Sequence, residues 1–160
     1  MKLPPDWSEF IGFLRVHRLR YLIVGAHALA AHGRPRATQD LDVWVAPTRA
    51  NAQRVGFALR EFGFPALARA WRRFANANCV AQLGHPPLQI DVLTSITAWR
   101  RRIEIEVDGV PIYFLGEDDL RLNKASTGRA KDALDLELLG PKPRRRPKPR
   151  RHPGSPRRGT

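Results

Sequence analysis

Asp40 and Asp42 stand two residues apart in Gln39-Asp40-Leu41-Asp42-Val43-Trp44-Val45, a run whose alternation reads as a β-strand. Side chains at i and i+2 of a strand project from one face, so the two carboxylates stand side by side while Leu41, Val43 and Val45 point the other way. Adjacent carboxylates repel, and a fold tolerates them most readily when a cation sits between them. A third acid, Asp91, lies among Ile90, Val92 and Leu93, where an unpaired carboxylate is costly. Three such groups suit phosphoryl transfer assisted by two Mg²⁺ ions. One ion activates an acceptor hydroxyl and the other stabilises leaving pyrophosphate. Mg²⁺ keeps several waters and needs few protein carboxylates, so three Asp suffice if substrate phosphates complete the shells. The plainer alternative is that the acids meet solvent at strand ends or pair with arginines.

The elements that must position these acids begin upstream. Residues 21–24, Tyr-Leu-Ile-Val, read as a buried strand, and Gly25 permits a tight turn with exposed backbone. Residues 26–32 read as a short Ala-rich helix capped by Gly33. Arg34-Pro35-Arg36-Ala37-Thr38 must be a loop, because Pro35 confines its neighbour to extended backbone. Arg34 and Arg36 either clamp phosphate or neutralise Asp40. Trp44, on the acid face, either stacks on a base or packs as core. His27 and His32, five apart, lack metal-ligand spacing, and His17 reads as structural.

Elsewhere, Asp6-Trp7-Ser8-Glu9 has capping-box spacing ahead of an amphipathic helix. Thr48 caps a longer helix reaching residue 62, with Ala52, Val55, Leu59 and Phe62 inward. Residues 66–74 are ambiguous between a helix and an irregular segment. Strands are expected at 79–83 and 88–93, with a short helical piece at 95–101. Asp108-Gly109 signals a hairpin between strands at 103–107 and 110–115. A helix opening on Glu117-Asp118-Asp119 places acids at its positive end and carries Lys124. Thr127-Gly128 interrupts it before a last helix at 131–139, where Asp132 and Asp135 have Arg129 and Lys131 as available partners.

Charge is unevenly spread. Nine of the 28 Lys and Arg fall at residues 141–160, which contain no acid. The rest of the chain then holds 19 basic and 15 acidic residues, so the basicity is mostly a property of this end. With six prolines in twenty residues it cannot form a core, and the expected division is a folded domain at 1–140 and a disordered basic tail at 141–160. The single Cys79 excludes an internal disulfide. No apolar run is long enough to span a bilayer, so no membrane partner is expected, and a reducing cytoplasm fits best.

The order of strand, Gly25, short helix, Asp40-Leu41-Asp42 and a later Asp91 resembles the nucleotidyltransferase superfamily of DNA polymerase β. The stretch VGAHALAAHGRPRATQDLDVWV is similar to the first motif of small bacterial AbiEii-like nucleotidyltransferases. Lys124 followed by Arg129-Ala130-Lys131-Asp132-Ala133-Leu134-Asp135 resembles a motif near the end of those proteins. The resemblance implies an α+β nucleotidyltransferase fold, a mixed central sheet flanked by helices, and transfer of NMP from an NTP to a hydroxyl. It implies that Gly25 and Ala26 form the turn that meets the triphosphate, and that Arg36 and Thr38 lie on the nucleotide side. Asp40 and Asp42 would bind Mg²⁺. Asp91 would complete the metal site and serve as general base, Lys124 would reach phosphate, and Asp132 would orient the last helix or the nucleotide. Ala26 departs from the Gly or Ser common at this position, removing a hydroxyl ligand for phosphate while keeping the backbone N–H. The basic surface makes RNA, such as a tRNA 3′ end, an expected acceptor, with protein or a small molecule as other choices. The AbiEii likeness brings a toxin role and an antitoxin partner as further expectations. The alternative is an inactive nucleotidyltransferase-like scaffold that holds nucleic acid through its basic surface and tail.

Overall fold

Alternating apolar runs supply six strands, and amphipathic segments between them supply the layers on either side. In the computed structural model, which describes residues 2–142, the elements are α1 (Pro5–Val16), β1 (Tyr21–Ile23), α2 (Gly25–Ala31), β2 (Asp40–Val45), α3 (Arg49–Glu61) and α4 (Pro65–Arg69). A 3₁₀ turn (Trp71–Ala75) leads to β3 (Val80–Leu83), β4 (Gln89–Leu93), β5 (Arg102–Val107), β6 (Val110–Leu115), α5 (Glu117–Thr127) and α6 (Ala130–Leu139). The strands form one mixed sheet in the order β3-β4-β2-β1-β6-β5. β4 runs parallel to β2 and β6 parallel to β1, while the remaining pairs are antiparallel. The expected α+β architecture is the one observed. The proposed tail lies, apart from its first two residues, outside the described residues.

Each sheet face has its own core. On one, Phe10, Ile11 and Leu14 of α1 and Val55 and Leu59 of α3 pack against Ile23, Leu41, Val43 and Ile90. On the other, Ala28 and Leu29 of α2, Leu120 of α5 and Leu139 of α6 pack against Leu22, Trp44 and Leu115. Asn51 on α3 is 2% exposed, yet its amide is satisfied: Arg20 N–H donates to it, and it donates to the carbonyls of Arg20 and Ala46. It pins α3 to the β1 entrance and the β2 exit, a role the sequence pattern does not announce. Among the described residues no helix is long and apolar enough to cross a membrane.

Local signals hold where the chemistry is local. Thr48 accepts the Asn51 N–H at 3.3 Å and starts α3. Asp108 and Gly109, at φ 52° and 78°, turn the β5–β6 hairpin. Two expectations are corrected. Asp6 does not cap α1, because the helix starts at Pro5, whose missing N–H leaves one fewer donor to satisfy, and Asp6 sits inside the first turn. Residues 95–101 are not helical. The Asn123 side-chain oxygen accepts the N–H groups of Thr97 and Ala98, while its amide donates to the Ala98 carbonyl. These bonds hold the segment as an irregular bridge over α5. The ambiguous stretch resolves into α4 and the 3₁₀ turn.

Candidate active site

The three acids converge because of strand register. In the parallel β2–β4 ladder Asp42 pairs with Asp91, and Asp40 pairs with Gln89. Register partners on adjacent strands share a face, so Asp91 stands beside Asp42, and Asp40 lies two residues along the same face. One carboxylate oxygen from each lies within 4.8 Å of the others, and all three residues are half-buried. Gln89 donates to Asp91 at 2.7 Å, and the Thr38 hydroxyl donates to the Asp40 carboxylate. Thr38 thus steadies an acid of the cluster.

The turn between β1 and α2 meets this cluster directly. Gly25 has φ 61°, and a Cβ placed there would fall within the van der Waals shell of the Asp42 carboxylate. Val24 N–H donates to the Asp42 carbonyl at 3.0 Å, which fixes the turn against β2. Only glycine satisfies both the backbone conformation and the close approach. Ala26, the following residue, is buried. Gly25→Ala is expected to cost at least ~1–2 kcal/mol from the left-handed backbone alone, with the steric conflict added. Urea unfolding reads the stability, and an unchanged midpoint would contradict this role.

Electrostatics mark Asp42 as the strained member. Burial first, and then the charges of Asp40 and Asp91, push its carboxyl from 3.8 up to about 6, against the weaker pull of Lys124 and Lys131. A divalent cation relieves that repulsion, and an all-carboxylate donor set suits a hard ion such as Mg²⁺ or Mn²⁺. The sign of the pH dependence follows. A folded-state pKa above the unfolded one contributes stability that is complete below about 4 and lost as pH rises through 6. Asp132 and Asp135, held below their ordinary value, contribute a constant amount above about pH 5, whereas His27, lowered by burial, favours higher pH. Subtracting Asp42→Asn isolates the contribution. Without metal, wild type should gain about 1 kcal/mol more than the variant between pH 7.5 and pH 5, and saturating Mg²⁺ should erase that gain. Denaturant titrations with EDTA or Mg²⁺ test both statements.

Beside the triad, the C-terminal helices bring in a buried charge network. Lys124 Nζ lies 2.6 Å from Asp132 and 2.8 Å from Asp135. Arg36 grips Asp135 through both arms of its guanidinium, at 2.6 and 3.1 Å, and Thr127 donates to Asp132. Of the two readings of Arg36, the pairing with Asp40 is not observed, because the guanidinium engages Asp135 of α6 instead. Arg34 likewise reaches the Leu138 carbonyl. Asp132 and Asp135 pair with Lys124 and Arg36 rather than with Arg129 and Lys131. Burial alone would raise both carboxyls, but the hydrogen bonds and charges of these cations hold them below the usual carboxylate range.

Asp42 also separates two clefts. One, of about 260 Å³, runs past Gly25, Lys124 and Asp132 and under Ser95, Ile96 and Thr97. The other, about 410 Å³, opens on the Asp91 side toward Asn78 and Val80. Arg129 lines both, and its guanidinium has no ion pair among the described residues. It is the residue of the closing motif best placed for an anion, a position visible only once Gly128 turns the chain at φ 66°. Trp44 faces the same side as the acids but is buried, donating to the Thr94 carbonyl at 3.1 Å. His17 stacks on Phe57 and meets Glu61, away from the triad.

No family model and no curated protein matches the chain. Among solved structures, the crystal structure of an antigenic nucleotidyltransferase-like protein from Paracoccidioides brasiliensis is similar, with a TM-score of 0.51 and 13% identity. The match covers 84% of this chain and 72% of that one. The chain therefore adopts a nucleotidyltransferase-like fold.

Proposed function

We propose that the protein is a divalent-metal-dependent nucleotidyltransferase that moves NMP from an NTP to a hydroxyl acceptor. The observation that carries this reading is the convergence of Asp40, Asp42 and Asp91 on one sheet face beside the Gly25 turn. Bound Mg²⁺ would supply charge neutralisation at the phosphates and would be held by these three carboxylates. The chain's own residues do the rest. Gly25 keeps the turn close to Asp42, which leaves its backbone accessible to phosphate in the smaller cleft. Arg129 offers a guanidinium to the departing pyrophosphate. Asp91, oriented by Gln89, takes the proton of the acceptor hydroxyl as that oxygen bonds to the α-phosphorus and the α–β bridge breaks. Lys124 holds the α5–α6 corner through Asp132 and Asp135. The acceptor, on this reading, enters by the wider cleft next to Asp91. RNA suits the excess of basic residues, and an AbiEii-like toxin with an antitoxin partner in the cytoplasm is a narrower version of the same proposal.

One observation favours the second reading, a scaffold without turnover that binds nucleic acid. Lys124 is engaged by two carboxylates, so the ammonium that the resemblance assigns to phosphate is already neutralised. Incubation with each α-labelled NTP, Mg²⁺ and total RNA decides between them. Label transferred to RNA, and absent with EDTA, supports the transferase. RNA retention with no label in any acceptor supports the scaffold.

A further inference from the structure

The bridge at residues 95–101 lines several cavities. Its Ser95–Thr97 portion roofs the cleft beside Asp42, whereas Trp99 and Arg100 line a separate cavity of about 270 Å³ with Arg20, Trp44, Arg102 and Tyr113. That cavity lies on the acid-bearing sheet face. Trp44 follows Asp42 by two residues on β2, about 7 Å along the strand. Its floor is aromatic. Trp99 stacks on Trp44 with ring centroids 5.2 Å apart and planes 23° from parallel, and Trp99 remains 47% exposed. Its rim is cationic. Arg101 spends its charge on Asp118 at 2.8 Å, but Arg20, Arg100 and Arg102 have no ion pair among the described residues. Arg102 lies over the Tyr113 ring at 4.3 Å, and Glu104, the register partner of Tyr113, pairs with none of the three.

A large exposed indole costs contact with water, and three unneutralised guanidiniums repel one another. A ligand with both a flat π-face and phosphates answers both deficits. We propose that this cavity binds single-stranded nucleic acid, with a base stacked on Trp99 and flanking phosphates held by Arg20, Arg100 and Arg102. Stacking carries no base readout, so the site is tolerant of sequence. That the bound strand is the acceptor rests on the transferase reading above. The binding itself does not.

The test uses the full chain in EDTA without NTP and a 12-nucleotide oligouridylate carrying one 5-iodouridine. Ultraviolet cross-linking should give an adduct at Trp99, and the oligonucleotide should quench tryptophan emission. Trp99→Leu should weaken binding about tenfold, and Trp99→Phe should retain most of it. Arg100→Gln with Arg102→Gln should lower the slope of log affinity against log salt by about 0.7 for each arginine removed. Circular dichroism confirms that each variant is folded. Adducts confined to residues 141–160, or unchanged affinity and slope in all variants, overturn the proposal. The two readings fail separately. Transfer by wild type with binding unchanged in the variants removes this site alone. Binding lost in the variants while wild type transfers no label removes the transferase alone.

Discussion

Asp42→Asn is expected to abolish nucleotidyl transfer and, in the metal-free protein, to raise stability. The two effects share one cause. Asp42 is half-buried between two other carboxylates, and its carboxyl is pushed up to about 6 because its charge is poorly tolerated there. Asparagine keeps the shape and removes the charge, so at pH 7.5 the fold should gain roughly 1–2 kcal/mol. The same removal takes away one of three metal ligands. If the loss is about 4 kcal/mol of transition-state stabilisation, the rate falls about a thousandfold. Label transfer measures the first effect and urea unfolding in EDTA the second. A variant that transfers label at the wild-type rate would remove Asp42 from the chemistry. One that is less stable than wild type would mean that its carboxylate makes a contact worth more than the repulsion.

Lys124→Met is expected to give the largest loss of stability, about 3 kcal/mol or more, the range found when one partner of a buried ion pair is deleted. Lys124 is 10% exposed at its side chain, and its carboxylate partners are nearly or fully buried. Without the ammonium, Thr127 still donates to Asp132 and Arg36 still grips Asp135, which keeps the effect near the lower end of that range. Adding Asp132→Asn should recover part of the loss, because it removes one stranded charge. Urea unfolding of the single and double variants measures both. No loss in Lys124→Met would mean that the network is not what holds α5 to α6.

These two residues also show how far the sequence could be read. Asp40, Asp42 and Gly25 were legible because strand alternation and a turn glycine are short-range signals. Asp91 was legible as an acid among apolar neighbours, but its pairing with Asp42 depends on β4 adding in parallel beside β2, which no local pattern states. The Arg36–Asp135 contact joins residues 99 apart. Nearby cations offered the acids of α6 simpler partners, and only the packing of α5 and α6 against the β2 approach shows that Lys124 and Arg36 take those places. The segment 95–101 departs from its expected helix for a related reason. Its backbone donors are met by a side chain on α5, so local propensity did not decide its shape.

That 99-residue span has a consequence for the order in which the molecule is completed during synthesis. Every strand of the sheet precedes α5, so the triad's scaffold can pair while the C-terminal helices are still inside the ribosome. The loop that delivers β2, however, has its arginines tied to the rest of the fold by α6, through Asp135 and the Leu138 carbonyl. A nascent chain lacking α6 therefore carries the acids without the clasp that fixes their approach. Among the described residues the last helix is also the one that closes the site, so a chain that stops before it is an unfinished site rather than a smaller version of the same one.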